Sequence, residues 1–149
     1  MTIEFTVPGK PVPMARPRVT MHGTYTPARC REYKALVSSI ARQAMLRHKP
    51  IAGPVIIYIR FRFAIPKSWS KTKRQEWENG NVHHLSRPDI DNLYKAITDA
   101  LIGIVYNDDS QIVAAQIMKS YEGVDEVAVT LMEAGQDATG HETTDEVSD

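Results

Sequence analysis

Three things are scarce in this chain of 149 residues, and each scarcity closes a class of explanation. There is a single cysteine, Cys30, so neither an intrachain disulfide nor a zinc centre built on several thiolates is available. There is no long apolar run. A membrane-spanning helix needs about 20 consecutive apolar residues, whereas here a hydrophobic content of 42% is spread over short pieces. Acidic residues are almost missing from the first half. Residues 1–74 hold 15 Lys and Arg against only 2 acids, Glu4 and Glu32, a balance of +13; the remainder holds 3 basic and 16 acidic residues, a balance of −13. A basic half suits a phosphate-bearing partner and an acidic half suits a cation, with mutual neutralisation at their contact as the plain alternative. The opening MTIEFTVPGKP has no basic segment followed by a hydrophobic core, so export is not expected and a soluble cytoplasmic protein is. The length fits one domain with a modest core, and no internal repeat is visible.

What is present reads as alternating strands and helices. Ile3–Val7 predicts a first strand, ended by the Pro- and Gly-rich stretch 8–17. Residues 18–26, with Gly23 at a turn, suit an irregular hairpin or a mobile loop. From Pro27 to about His48 the spacing of Tyr33, Leu36, Val37, Ile40 and Ala44 predicts an amphipathic helix, broken by Pro50, Gly53 and Pro54. Val55–Ala64 is the strongest strand, with Ile57, Ile59, Phe61 and Phe63 on one face and Ile56, Tyr58, Arg60 and Arg62 on the other. Residues 66–79 predict a short charged helix entered at Ser68 or Ser70. Two more strands, 111–121 and 124–133, are expected to form a hairpin turning at Gly123. Residues 134–149 are small, polar and acidic, the composition of a disordered tail.

The densest chemistry lies in Arg87-Pro88-Asp89-Ile90-Asp91-Asn92-Leu93-Tyr94-Lys95 and in Asp108-Asp109 beyond it. Asp89 or Asn92 can cap a helix on which Leu93, Ala96, Ile97, Ala100, Leu101 and Ile104 form an apolar stripe, with Gly103 as its stop. Asp91 and Lys95 stand one turn apart, off that stripe. If the following strand folds back beside the helix, Asp89, Asp91 and one of Asp108 or Asp109 converge into an all-oxygen pocket suited to Mg²⁺. Taken singly, each residue has a bland role: a cap, an i, i+4 ion pair, a solvated turn. Jointly they repel one another without a cation, which makes them a poor device for stability alone. His83 and His84 are adjacent on an extended segment and point to opposite sides, so they do not make a zinc pair; His84 is expected to contact DNA or pack near the metal site.

The stretch RPDIDNLYKAITDALIGIVYNDDSQI, residues 87–112, resembles the RusA family of Holliday junction resolvases, whose pattern is roughly (K/R)PDxDNLxKxxxDAL(N)G…DDxQI. The opening VPGKPVPMARPR is similar to RusA-type proteins of phages and Gram-positive bacteria. One departure is Ile102, where many relatives carry asparagine. The resemblance implies an α+β fold, two layers with helices packed on a mixed β-sheet, over residues 1–133. It also implies a Mg²⁺-dependent endodeoxyribonuclease that resolves four-way junctions by paired nicks as a homodimer. No small-molecule cofactor beyond the metal and no membrane are expected. Asp89, Asp91 and Asp109 match the metal-binding catalytic aspartates and Lys95 the catalytic lysine. Asp108 is left as an outer support or a possible ligand, and Asp99 as a residue that positions Lys95. Arg16, Arg18, Arg29, Arg31 and Arg87 form the expected DNA surface, with Arg60 and Arg62 as a possible extension. The dimer interface is expected on Val55–Ala64 or on 102–106. Rival readings are a non-catalytic branched-DNA-binding protein and, from the formal DxD at Asp89–Asp91, a metal-dependent transferase.

Overall fold

The computed structural model describes residues 1–135, so almost all of the segment expected to be a disordered tail lies outside the described residues. Four strands make one mixed sheet in the order β1 (Thr2–Pro8), β6 (Glu126–Glu133), β4 (Val55–Ala64), β5 (Ile112–Glu122). β4 runs parallel to β5 and antiparallel to β6. A parallel pair needs a crossover, and the one from β4 to β5 contains α2 (Lys71–Glu78) and α3 (Ile90–Leu101). The fold is therefore the expected α+β arrangement.

Alternation along the strands decides which face is covered. Ile3, Phe5 and Val7 of β1, Val127, Val129 and Leu131 of β6, and Ile57, Ile59, Phe61 and Phe63 of β4 are all buried. They meet α1 (Ala28–Met45) through Tyr33, Val37, Ala41 and Met45, and α3 through Leu93, Ile97, Ala100 and Leu101. The opposite face of β4 carries Ile56, Tyr58, Arg60 and Arg62 and has no helix over it. Tyr106, fully buried, ties the end of α3 to the core by donating to the Thr98 carbonyl at 2.6 Å. Ser38 of α1 does the same to the Ala100 carbonyl at 2.9 Å.

Two expectations need correction. β5 and β6 are not a hairpin, because β4 lies between them. Their connection at residues 123–125 steps over the end of β4, which it also caps: Ile65 N–H donates to Glu122 O at 3.2 Å and Ala64 N–H to Asp125 Oδ1 at 2.7 Å. α1 stops at Met45, since Leu46 turns left-handed at φ 53°. The charged helix enters at Ser70, one of the two expected starts, whose hydroxyl accepts from Lys73 N–H at 3.1 Å. The segment 18–26 does form a small hairpin, β2 (Arg18–Thr20) and β3 (Gly23–Tyr25), fully exposed and separate from the main sheet.

Candidate active site

The aspartate–lysine motif sits where α3 begins. Asp89 is the N-cap residue of α3, extended at φ −72° and ψ 148°, yet its carboxylate makes no capping hydrogen bond. Asp91, in the first helical turn, is exposed, as is Asp89. Carboxylates at a helix N-terminus are favoured by the helix dipole, so both are stable there as free oxygen donors. Lys95 follows one turn on. Its ammonium lies 3.7 Å from Asp99, the pairing expected for a residue that positions it. Lys95 stays largely exposed and Asp99 is three-quarters buried, so the pair presents the cation outward from a fixed base.

The second half of the cluster arrives on the turn before β5. Asp108 caps a short 3₁₀ turn (Asp109–Gln111): its carboxylate accepts from Ser110 N–H at 3.4 Å. Asp109 is the freer of the two and faces α3. Its carboxyl is held above the ordinary value first by a hydrogen bond shared with Asp108 and by desolvation, then by the charges of Asp108 and Asp99, against the pull of Lys95. Asp108 is correspondingly lowered by that shared hydrogen bond and by Ser110. Burial and the nearby Asp109 charge also raise Tyr94, on the same helix. Two adjacent carboxylates whose shifts oppose each other mark a turn rich in negative charge.

Asp109 thus lies within reach of the charges of Lys95 and Asp99 and itself acts on Tyr94. Among the described residues, however, no three His, Cys, Asp or Glu side chains gather closely enough to hold a metal ion. The set of donors suits a hard cation in its chemistry, all carboxylate oxygen, while Asp89 and Asp91 remain at the helix start and Asp109 at its middle turns.

Residues absent from the sequence reading hold these loops. Gln111 is the most connected. Its amide nitrogen donates to Ile51 O at 2.7 Å and Gly53 O at 2.9 Å, and its amide oxygen accepts from Asn107 and Asp108 N–H at 2.7 and 2.9 Å. Lys119 of β5 donates to Ser86 O at 2.9 Å and Pro88 O at 3.1 Å, clamping the segment that leads into Asp89. The only sequence signal for either was the glutamine of the DDxQI pattern. His84 packs as a core ring, 6% exposed, with ring centroids 4.3 Å from Phe63 and 4.6 Å from Tyr121. It is too buried to meet DNA. Burial, then the Lys119 charge, pushes its pKa below 6.5.

The arginines divide. Arg16, Arg18, Arg29, Arg31 and Arg87 are all exposed, and Arg31 also donates to Thr26 O at 2.8 Å. Arg62 pairs with Glu126, and Arg60 and Arg62 lie on the sheet face away from α3, so they do not extend the surface around the aspartates. Of the two interface candidates, 102–106 is divided: Val105 and Tyr106 are at 0% exposure, while Ile102 is 41% exposed.

The family model described as Endodeoxyribonuclease RusA matches residues 8–132. The chain is also 35% identical over 140 residues to the Uncharacterized protein YqaN of Bacillus subtilis (strain 168), a match spanning 88% of this chain and 96% of that relative. The match takes in the basic N-terminal loop, both helices of the core, the aspartate motif and the Asp108–Gln111 turn, and the chain belongs to the RusA endodeoxyribonuclease family.

Proposed function

We propose that the protein is a structure-selective, Mg²⁺-dependent endonuclease that resolves four-way DNA junctions by paired nicks. The observation that carries this reading is a carboxylate turn, Asp108–Asp109, set against the Lys95–Asp99 pair of α3 in a chain of this family. Asp89, Asp91 and Asp109 would hold the ion. Bound there, Mg²⁺ would supply Lewis-acid chemistry, polarising a water and offsetting charge on the reacting phosphate. Lys95 binds the scissile phosphate and steadies the charge that grows on the departing 3′ oxygen. Asp99 holds that ammonium in place. Water adds its oxygen to phosphorus as the bond to the 3′ oxygen breaks, leaving a 5′-phosphate and a 3′-hydroxyl that ligase can rejoin. The exposed arginines 16, 18, 29, 31 and 87 serve as phosphate contacts.

A four-way junction has two-fold symmetry, and this chain carries one aspartate cluster, so two copies match the two strands to be cut. The sheet face opposite the helices, where Ile56 pairs with Met132 and Tyr58 and Met118 stand exposed, is where a second copy would pack. Light scattering should give about twice the 16.7 kDa chain mass.

The decisive test incubates labelled four-way junction and matched linear duplex with the protein, with and without Mg²⁺. Asp91→Asn should abolish cutting and keep junction binding. Binding without any cutting by the unaltered chain would instead favour a non-catalytic junction-binding protein.

A further inference from the structure

The β2–β3 hairpin adds nothing to the core. Both of its strands are fully exposed and pair only with each other. A lone two-stranded hairpin is at best marginally stable in water, so its shape has to be held locally. Thr20 Oγ1 donates to Gly23 O at 3.0 Å and accepts from His22 N–H at 3.3 Å, which closes the turn at Met21 and His22. Gly23, at φ 121°, takes a backbone conformation that side chains resist. The base is tied down as well. Met14 N–H donates to Asn92 O in the first turn of α3 at 2.9 Å, and Arg31 donates to Thr26 O at 2.8 Å. Met14 and Thr26 line the same cleft as Ala96 and Asp99, so the hairpin springs from beside the helix that carries Asp91 and Lys95.

What this turn displays is apolar. Met21 is 96% exposed, the most exposed large apolar side chain among the described residues, and Val19 is 82% exposed. Both forgo the benefit of burial in the folded chain. The charge around them is of one sign: residues 5–31 hold Lys10, Arg16, Arg18, Arg29 and Arg31 and no acid. A partner for such a tip is anionic on its outside and apolar within, as DNA is. Methionine and other apolar side chains enter base steps as wedges, at the cost of unstacking them. That cost is largest in a continuous duplex and falls at a branch point, where stacking is already interrupted. Three residues of strand place Met21 about 10 Å beyond Arg18, more than the depth of either groove, about 7.5–8.5 Å. Arg18 can therefore sit at a phosphate while the tip meets a base step.

We infer that the β2–β3 hairpin is a wedge: Met21, backed by Val19, enters the interrupted base stack at a branch point and makes binding selective for branched over continuous DNA. The inference deepens the nuclease reading above and rests on it for its partner. It makes Met21 a specificity-determining residue, one that decides which DNA is held and takes no part in breaking the bond.

The test binds the full chain, without metal and at one salt concentration, to a four-way junction and to a linear duplex of the same arm sequence. Met21→Ser with Val19→Ser alters only exposed side chains, and an unchanged melting temperature confirms that the fold is kept. Junction affinity of this double variant should fall roughly tenfold, the order that one buried methionine supplies, while duplex affinity stays within about twofold. Met21→Leu, which keeps an apolar tip, should hold junction affinity within about threefold. A fluorescent aminopurine base at the branch point should brighten on binding the unaltered chain and not the double variant. Junction and duplex affinities that fall together, or that both stay unchanged, would overturn the inference, as would an aminopurine signal indifferent to the tip. Vesicles containing phosphatidylglycerol are offered in parallel; vesicle binding that needs Met21, with no effect on the junction, would give the tip to an anionic membrane instead. Cutting in Mg²⁺ is read separately. Tip-dependent junction binding without cutting leaves the wedge and removes the nuclease, whereas junction cutting and binding indifferent to the tip remove the wedge alone.

Discussion

Replacing Lys119 by methionine keeps the apolar stem of the side chain and removes the two hydrogen bonds that pin the entry to Asp89. A hydrogen bond from a charged donor is worth about 1.5–3 kcal/mol when its partner is left dry. Here Ser86 is exposed and Pro88 half-buried, so water takes over much of each carbonyl. A combined loss of about 1–2 kcal/mol is the reasonable figure. It falls locally, on residues 86–89, because β5 keeps its pairing with β4 whatever residue stands at position 119. With the metal role proposed for Asp89, a looser entry makes that residue costlier to order and weakens cation binding. The Mg²⁺ concentration for half-maximal junction cutting should rise roughly five- to thirtyfold, while cutting at saturating Mg²⁺ stays within about threefold and metal-free junction binding is unchanged. Lys119→Arg, which restores a donor, should recover most of the shift. Cutting titrated against Mg²⁺ for the three proteins reads all of this. An unchanged half-saturation in Lys119→Met would refute the clamp, and a loss confined to the plateau would place Lys119 at the phosphate instead.

The other predictions concern stability, the turn and the DNA surface. His84 is buried beside Phe63 and Tyr121, with Lys119 and Lys10 opposing its charge, so its folded pKa lies below 6.5. The unfolded chain therefore takes up the proton first as pH falls. This contribution to stability is complete above about pH 6.5 and declines below it until the folded ring itself titrates. Melting temperature from about pH 7 to about pH 5 should drop less in His84→Phe than in the unaltered chain; equal drops would disprove the coupling. Gln111→Ala loses four hydrogen bonds in the Asp108–Asp109 turn and should cost about 2–3 kcal/mol by chemical denaturation. It should also reduce cutting far more than Asp108→Asn does, and similar cutting by the two variants would argue against a fixed turn. Arg16→Ala with Arg18→Ala should weaken junction binding and flatten its salt dependence, read as the slope of log affinity against log salt; an unchanged slope would take the β2–β3 hairpin off the DNA.

Local patterns carried most of the fold. β4 alternates without a fault from Val55 to Phe63, and α3 keeps its apolar spacing from Leu93 to Leu101, so both were legible with their buried faces. The neighbour of each strand was not. A turn signal such as Gly123 is the same whether the next strand pairs beside the last or one place further over, and only the packed sheet distinguishes them. The motif residues were legible because they are consecutive; how the Asp108–Asp109 turn sits against α3 depends on the packed fold and not on local spacing. Lys119 was silent, and Gln111 showed only as a letter of the DDxQI pattern, because their partners are backbone groups, which leave no mark on a sequence. His84 misled for a related reason, since the two rings that bury it come from β4 and β5, residues 63 and 121.

The place of β4 between β5 and β6 has a consequence for how the molecule comes into being. Both of its partners, and the sole partner of β1, are drawn from residues 112–133. Until that stretch has been synthesised, the strongly cationic first half has no sheet to join, and no truncated product holds a partial scaffold. Ordering is thus long-range and arrives at one stroke, the regime in which chain-closure entropy slows folding. The carboxylate turn at Asp108–Asp109 immediately precedes the strands that complete the sheet. The turn and the sheet that holds it are therefore completed by the same late stretch of chain.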